Sequence, residues 1–336
     1  MRLKKISLSF LLAAAVSLSA CQSTPANTET TVSSTQSTEA SESSKNTEST
    51  DVSENTEKES TQITVTDMKQ REVTLPDVPE KIVTLLASDV EILYALGAGD
   101  QIVGVGEYCD YPAEAQEENT IVTTGSDTNL EEIIALEPDV VIMGDMAQDI
   151  EQAEQLQAAG VPTVMTNANT IEEVYENIAL LGQVSGKEDA ATQLIQEMKD
   201  DFEEIKSQNY EDGKTIYFEI SPLEYGLWTA GNNTFMQELC DIVNVENIFS
   251  DVEGWAEISE EQVLERDPDY IATVTMYYGE GPTPDEEILG RENWQDITAV
   301  KEKRVFCADN SKLTRPGPRL VEAARELAEF VHGAEE

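Results

Sequence analysis

Apolar runs of strand length alternate with segments of helical period along most of the chain. Six runs have the length of buried strands, and they lie at 82–86, 102–105, 140–143, 163–165, 216–220 and 271–274. Strands that alternate with helices in this way predict an α/β fold with mainly parallel sheets. Two shorter runs, at 63–66 and 73–75, predict an antiparallel edge hairpin that leads into this fold.

The longest helical pattern covers residues 187–208. This segment contains no Gly or Pro, and its apolar side chains recur at spacings of three and four among charged residues. It predicts one amphipathic helix of about 22 residues, roughly 33 Å long at 1.5 Å per residue. We therefore predict two Rossmann-like lobes, 63–185 and 210–336, joined by a connecting helix at 186–209. A single long helix should make the hinge between the lobes stiff.

Two stretches of the folded part repeat each other at an offset of 130 residues. Residues 129–139 and 259–269 both start with an N-cap residue, carry Glu or Gln three positions later, and end in Pro-Asp ahead of an apolar strand. The N-cap and the residue three positions later suit a capping box. Glu131 and Glu261 are then free carboxylates on the first turns of two matching helices. For either one alone, a favourable interaction with the helix dipole is a sufficient explanation.

The first 62 residues differ in composition from the rest. Basic residues precede a short apolar stretch, 6–20, which is typical of an export signal and shorter than the ~20 residues that cross a bilayer. The stretch ends in Leu-Ser-Ala-Cys21, which resembles the lipobox of bacterial lipoproteins, in which the cysteine is acylated; the alternative is an ordinary secretory signal. We predict a signal peptide at 1–20, then lipidated Cys21 with a disordered linker rich in Ser, Thr and Glu, together 21–62.

Charge and residue usage exclude several classes of function. The chain has 21 basic and 67 acidic residues, a formal net charge of −46. Such a surface repels phosphate backbones and anionic lipid headgroups, so we expect no nucleic-acid partner and no membrane contact except through the lipid anchor. Most transition-metal sites and hydrolytic triads need an imidazole, and the single histidine is His332. We expect His332 to face solvent on a terminal helix. We expect no enzymatic activity, no bound metal and no cofactor of its own.

Three cysteines remain after Cys21. Their odd number permits at most one disulfide, and which two would pair is open. Cys240 falls in a helical pattern and Cys307 in a strand pattern, so we expect both to be small buried core residues. Cys109 precedes an Asp-Tyr-Pro sequence that predicts a loop.

The order and spacing of several motifs resemble one known family, the substrate-binding lipoproteins of ABC importers for iron-siderophore, haem and cobalamin. The motifs are residues 81–97, 103–112, the two Pro-Asp repeats, 227–231 and 315–319, and together they cover 63–334. The resemblance implies two lobes on a helical backbone with a ligand cleft between them. It also implies a dimeric permease with ATPase subunits as partners, and it gives Glu131 and Glu261 the role of docking onto arginines of that permease.

The ligand should lie between the lobes, where loops leave the carboxyl ends of the strands. The residues that we expect there are Ser88, Tyr108, Tyr111, Trp228, Trp255, Tyr277 and Arg315. Flat rings offer a large apolar contact to a corrin, porphyrin or catechol face. Trp228 has the alternative of packing inward. Arg315 would help to hold an anionic ferric catecholate, with a position at the entry to a helix as the alternative.

We therefore predict a monomeric, extracytoplasmic binding protein, anchored by lipid at the outer face of the bacterial cytoplasmic membrane. Its ligand would be a ferric siderophore or a corrinoid, which it would deliver to the permease. A haem-binding importer component is one alternative. A surface sensor or adhesin lipoprotein with the same fold is another, because a fold alone does not determine function.

Overall fold

Two parallel sheets organise the part of the chain that the computed structural model describes, which is residues 62–125, 128–144, 150–211, 213–274 and 281–333. The predicted signal peptide, Cys21 and nearly all of the linker lie outside the described residues. The described residues belong to one compact unit. The exact bounds of the predicted lobes therefore remain predictions.

The first sheet has five parallel strands in the order β5-β4-β3-β6-β7. The strands are β3 (Ile82–Thr84), β4 (Ile102–Gly106), β5 (Thr120–Val122), β6 (Val140–Gly144) and β7 (Thr163–Thr166). The helices around them are α1 (Ala87–Ala95), α2 (Glu114–Glu118), α3 (Leu130–Ala135), α4 (Ile150–Ala158) and α5 (Ile171–Ser185). The predicted hairpin is also confirmed, because β1 (Ile63–Thr66) pairs antiparallel with β2 (Glu72–Leu75).

The second sheet has four parallel strands in the order β10-β8-β12-β13. They are β8 (Thr215–Glu219), β10 (Glu246–Asn247), β12 (Tyr270–Thr273) and β13 (Val305–Cys307), and a separate antiparallel pair consists of β9 (Leu227–Ala230) and β11 (Trp255–Ile258). The helices are α7 (Phe235–Ile242), α8 (Glu260–Arg266), α9 (Pro284–Gly290), α10 (Thr298–Lys301), α11 (Asn310–Leu313) and α12 (Leu320–His332). The predicted α/β class with mainly parallel sheets is thus confirmed. In the described part of the chain, no helix combines the length and apolar character that crossing a bilayer requires.

The connecting helix is α6 (Glu188–Lys206), which has 19 residues. It starts two residues after Gly186, whose left-handed backbone (φ +68°) ends α5. The two helices pack closely, since a Cβ added at Gly182 would lie only 2.6 Å from the Cβ of Ala191. The helix also contacts α7 and α12 in the second half of the chain. It is therefore a packed structural element with neighbours from both sheets.

One hydrophobic core extends through both halves of the molecule. It contains Ile82 and Val90 from the first half, Phe202 from α6, and Phe218 and Leu327 from the second half. Two smaller clusters are each confined to one half. Because interiors are close-packed and respond to small changes in volume, a shared core resists movement of the two sheets relative to each other. This packing is the physical reason to expect a stiff hinge.

The aspartates of the two repeated Pro-Asp sequences make equivalent hydrogen bonds in both halves of the chain. Asp139 Oδ2 accepts hydrogen bonds from the backbone N–H groups of Glu80 and Lys81, both at 2.9 Å. Asp269 Oδ2 accepts from the backbone N–H and the hydroxyl of Thr215, both at 3.0 Å. Each aspartate therefore fixes the start of the neighbouring parallel strand, which is β3 in one half and β8 in the other.

The predicted helix caps at the repeats are confirmed. The Asn129 side chain accepts a hydrogen bond from the backbone N–H of Glu132 at 3.2 Å. In α8 both halves of the capping box between Ser259 and Gln262 are present. These bonds satisfy backbone donors that the first helical turn leaves without partners.

Two expectations about single residues are wrong. Cys307 is exposed, because it is the last residue of β13 at the edge of its sheet, whereas Cys240 is buried as predicted. His332 does not face solvent: its ring is half-buried and stacks on Tyr210 with centroids 4.3 Å apart. Its Nε2 lies 2.7 Å from the carbonyl oxygen of Val243.

Truncation of the shared core tests whether the two halves unfold together. We expect Phe202→Ala to lower the free energy of unfolding by about 3–5 kcal/mol, because it opens a cavity that the packed interior cannot close. Circular dichroism, which reports on both halves, and tryptophan fluorescence should give coincident denaturation curves. The control is Glu203→Ala at the exposed neighbouring position, which should change little. Two separate transitions would contradict the shared core.

His332 predicts a loss of stability in mild acid. Burial lowers the pKa of His332, and the Lys214 ammonium 3.3 Å from Nδ1 adds to this, against the opposing hydrogen bond with Val243. The unfolded chain, with an ordinary histidine pKa of about 6.5, then binds the proton more tightly than the folded chain. The stability due to the neutral ring is present above that value and is lost as the pH falls below it.

The measurement is the free energy of unfolding at pH 7.5 and pH 5.5, in the wild type and in His332→Gln. Other groups titrate in the same range, so the informative quantity is the difference between the two proteins. Glutamine cannot be protonated, and it can still donate to Val243 and accept from Lys214. The drop in stability should therefore be smaller in the variant. Equal drops would show that His332 does not contribute.

Candidate ligand-binding cleft

The strand orders place the candidate site at the carboxyl ends of the two sheets. In the first sheet the chain winds outward from β3 through β4 and β5, and then continues on the other side through β6 and β7. This reversal between β3 and β6 is the switch point at which open α/β sheets bind ligands. The segments that follow β4 and β8 carry exposed aromatic side chains among the described residues.

Four exposed aromatic side chains follow these strands. Tyr108 and Tyr111 lie after β4, and Tyr225 and Trp228 lie after β8. Among the aromatic residues that the structure describes, no other side chain is exposed to this degree; Tyr108 is 67% exposed and Trp228 is 41% exposed. One pair of accessible rings therefore follows β4 in the first half of the chain, and a second pair follows β8 in the second half.

The outward position of Trp228 follows from strand alternation. It lies in β9, where its neighbours Leu227 and Thr229 are buried while Trp228 is not. Of the two orientations considered for this side chain, the structure has the outward one. Tyr225 was missed by the sequence analysis. The available signal was a turn bounded by Pro222 and Gly226 directly after a buried strand, and such turns expose their central residues.

A buried ion pair fixes the strand from which the second pair of rings leaves. Glu219 ends β8, and both of its carboxylate oxygens contact the guanidinium of Arg291, at 2.7 and 2.8 Å. Burial raises the pKa of Glu219, and the hydrogen bonds from Arg291 oppose this. Two parallel hydrogen bonds of this kind give a well-defined geometry. The loop with Tyr225 therefore starts from a rigid point.

Trp255 is a half-buried anchor between the two halves of the chain. Its Nε1 donates to Asn169 Oδ1 at 3.3 Å, and its ring packs edge-on against Phe235 with centroids 5.4 Å apart. Asn169 belongs to the connection between β7 and α5, and its carbonyl oxygen also accepts from the backbone N–H of Phe235. The predicted ligand contact of Trp255 is not tested. What the geometry assigns to it is a link between the halves.

Arg315 lies in the connection between α11 and α12. The alternative position for Arg315, at the entry to a helix, is wrong, because α12 begins only at Leu320. Its Nη1 contacts Glu91 Oε1 at 3.1 Å and Asp110 Oδ1 at 2.7 Å, and its Nη2 donates to the carbonyl oxygen of Tyr108 at 3.2 Å. The guanidinium is therefore already engaged by oxygens of the first half of the chain.

Two further residues complete this cluster, and the sequence analysis did not single them out. Arg319 donates from Nε to Glu91 Oε2 at 2.8 Å, and its guanidinium carbon lies 3.9 Å from the centroid of the Tyr111 ring. Glu91 lies in α1 with its side chain buried. A glutamate between Val90 and Ile92 in an apolar helix was the available signal, because buried carboxylates need partners. A groove of about 590 Å³ opens beside the cluster and is lined in part by Tyr111 and Arg319.

Ser88 is not placed as predicted. Helix α1 starts at Ala87, so Ser88 lies in its first turn and is buried, while the prediction had it in a cleft loop. The neighbouring Asp89 is also buried and accepts hydrogen bonds from Thr166 and Asn177, at 2.7 and 2.8 Å. Burial raises the pKa of Asp89 to about 6, against the effect of these two bonds. Both side chains point into the protein in this structure.

The two proposed docking carboxylates are exposed on matching first turns, Glu131 in α3 and Glu261 in α8. A hydrogen bond from its own backbone N–H, followed by one from Ser259, lowers the pKa of Glu261. The lowered pKa of Glu261 agrees with a stabilising interaction at a helix N-terminus, which does not require a partner protein. Docking onto a permease therefore remains a prediction for Glu131 and Glu261. Tyr277 and Cys21 lie outside the described residues. Within the described ranges, no group of three or more His, Cys, Asp or Glu side chains has the arrangement of a metal site.

Comparisons with known proteins agree on one family. Residues 82–311 match the family model of periplasmic binding proteins. The chain is 33% identical over 277 residues to the uncharacterized ABC transporter substrate-binding lipoprotein YvrC of Bacillus subtilis, covering 80% of this chain and 85% of that protein. It is 30% identical over 256 residues to the vitamin B12-binding protein of Pectobacterium carotovorum, covering 74% and 87%.

A solved structure shows the same fold. A possible iron-binding, periplasmic solute-binding protein of Staphylococcus epidermidis superposes with a TM-score of 0.67 at 28% identity, covering 76% of this chain and all of the other. The family model covers well over half of the chain, and the Bacillus subtilis relative is more than 30% identical over 80% of it. The chain therefore belongs to the periplasmic binding protein family.

Proposed function

We propose that the chain is the extracytoplasmic substrate-binding component of an ABC importer and that it captures a corrinoid or an iron chelate between its lobes. The observation that carries this proposal is two pairs of exposed rings that follow strands of the two sheets, Tyr108 with Tyr111 after β4 and Tyr225 with Trp228 after β8. Hydration of exposed aromatic rings is unfavourable, and contact with a flat ligand that covers the rings lowers the free energy. The names of the vitamin B12-binding and iron-binding relatives support the same ligand classes.

The role of the chain in this proposal is binding and delivery without catalysis. The chain holds the ligand between its lobes and presents it to a dimeric permease. The ATPase subunits that associate with the permease hydrolyse ATP. The large negative charge of the chain suits orientation toward a basic partner surface, where charge mainly sets encounter rate and register. A stiff hinge suits a binding protein that is recognised by the spacing of its two lobes.

We also propose that Cys21 is acylated and anchors the protein at the outer face of the cytoplasmic membrane. The Leu-Ser-Ala-Cys sequence supports this, and so does the lipoprotein name of the Bacillus subtilis relative. Two or more acyl chains give durable anchoring where one is marginal, at about 0.8 kcal/mol per buried methylene. The linker up to residue 62 would have a root-mean-square span of roughly 35 Å as a flexible chain, which lets the domain search near its anchor.

Ligand titration tests the proposed function. Cyanocobalamin, haemin, a ferric hydroxamate and a ferric catecholate are added separately to the purified protein while tryptophan fluorescence is recorded. We expect saturable quenching by one of them. Trp228→Ala should weaken binding of that compound about tenfold, corresponding to roughly 1.4 kcal/mol of lost ring contact. Haemin as the best ligand would favour the haem-binding alternative.

The matched control for this titration is Trp294→Phe, because Trp294 is fully buried in the second half of the chain. The control should keep the wild-type affinity. Thermal stabilisation by each compound provides a second readout that does not depend on a nearby tryptophan. If no compound of the panel quenches the fluorescence or stabilises the fold, the proposed ligand classes are wrong.

Charge reversal tests the docking role and separates an importer from a sensor or adhesin. Glu131→Arg combined with Glu261→Arg should abolish ligand uptake by cells and leave the affinity of the purified protein unchanged. The control pair is Glu154→Arg with Glu302→Arg, which reverses the same charge at exposed positions outside α3 and α8. The control pair should support normal uptake. Uptake that survives the first double change would show that these two glutamates do not dock onto the permease.

A further inference from the structure

The segment Arg315-Pro-Gly-Pro-Arg319 brings two arginines from the second half of the chain onto one buried carboxylate of the first half. Both oxygens of Glu91 are used: Oε1 contacts Arg315 Nη1 at 3.1 Å and Arg319 Nη2 at 2.5 Å, while Oε2 accepts from Arg319 Nε at 2.8 Å. The Glu91 side chain is only 2% exposed. A buried carboxylate with this many charge-assisted bonds holds its partners in a defined geometry.

Each arginine also holds one end of the loop that carries the exposed tyrosines. Arg315 donates to the carbonyl oxygen of Tyr108 at 3.2 Å and contacts the Asp110 carboxylate at 2.7 Å. Arg319 lies over the Tyr111 ring at 3.9 Å, which is the geometry of a cation–π interaction. The loop of the first half that is expected to contact the ligand is thus held in place by side chains from the second half.

The charges of this cluster cancel. Two guanidinium groups, of Arg315 and Arg319, face two carboxylates, of Glu91 and Asp110. The arginine side chains are only 15% and 11% exposed. Nη1 and Nη2 of Arg315 and Nε and Nη2 of Arg319 already contact protein oxygens, so an anionic ligand would have to compete with those contacts at these four nitrogens. The cluster therefore offers little net attraction for a multiply charged anion.

We propose that Arg315 and Arg319 are positioning residues, which together with Glu91 order the loop from Tyr108 to Tyr111 for stacking on the ligand. Because the charges of this cluster are neutralised, the cleft selects uncharged or cationic chelates over trianionic ferric catecholates. The selectivity half of this inference rests on the proposed function. The positioning half concerns the protein without ligand. The sequence-based expectation for Arg315, a direct contact to an anionic ligand, is replaced here by an indirect role.

The prolines of the segment suit this role. Pro316 and Pro318 fix their own backbone φ angles and restrict the residue before each of them. Less conformational entropy is then lost when the two arginines are brought together on Glu91. A loop ordered in advance also avoids the loss in apparent affinity that arises when only a fraction of molecules is competent to bind.

Hydrogen exchange of the unliganded protein tests the positioning half. In Glu91→Gln, Arg315→Lys and Arg319→Lys, the backbone amides of residues 107–111 should exchange about tenfold faster than in the wild type, because lysine and glutamine cannot reproduce the two-oxygen contacts. These near-isosteric changes are chosen so that the fold persists. The control is Arg325→Lys, whose exposed side chain pairs with Asp201 on the surface. Unchanged exchange in all three cluster variants would overturn the positioning role.

A ligand series that differs in charge tests the selectivity half. Cyanocobalamin and a ferrichrome-type hydroxamate are neutral, a ferrioxamine-type hydroxamate is a monocation, and a ferric tris-catecholate is a trianion. The wild type should bind the best neutral or cationic member at least tenfold more tightly than the trianion. Glu91→Gln frees one positive charge, so the ratio should shift about tenfold toward the trianion. A purely structural defect would weaken all ligands alike.

The possible outcomes are distinguishable. A wild type that prefers the trianion, or a ratio that does not change in Glu91→Gln, would overturn the selectivity half. Faster loop exchange in the cluster variants, together with no binding of any panel member to the wild type, would overturn the proposed ligand classes while supporting the positioning role. Weaker binding of the preferred ligand by about tenfold in Arg315→Lys, without change in Arg325→Lys, would support the positioning role, and a shift of the ligand ratio in Glu91→Gln would support the selectivity half.

Discussion

The packing of α6 into one continuous core is the constraint on which the rest of the structure depends. Phe202 of this helix lies in the same cluster as residues from both sheets. Two polar contacts between the halves of the chain add specific geometry to this non-directional packing. They are the hydrogen bond from Trp255 to Asn169 and the ion pair between Glu91 and Arg315. The core limits how far the lobes can move, and these two polar contacts determine which loops face each other across the cleft.

The features that could be predicted from the sequence are those encoded by neighbouring residues. All six apolar runs are strands, and the unbroken run that begins after Gly186 is α6, because strand length and helical period are local properties. Local bonding also explains the caps at Asn129 and Ser259. The α/β class with mainly parallel sheets follows from the same alternation of strands and helices.

The site was only partly predictable because its contacts join distant residues. Glu91 and Arg315 are separated by 224 residues, and no local pattern identifies which carboxylate among 67 acidic residues an arginine will meet. The inward position of Ser88 and the exposure of Cys307 depend on where a helix starts and which strand is at the edge. Strand alternation accounts for the outward position of Trp228, whereas Tyr225 was overlooked because a single turn residue leaves no periodic signal.

The shared core also limits how this protein can be divided or recombined. A fragment that ends before α6 would expose the faces that Val90 and its neighbours bury, and a fragment that begins after α6 would expose those of Leu327. Exchanging one lobe with that of a relative would require the matching surface of α6 to come with it. In protein engineering, ligand preference is therefore best altered through the loops that follow β4 and β8, because whole lobes are not independent modules.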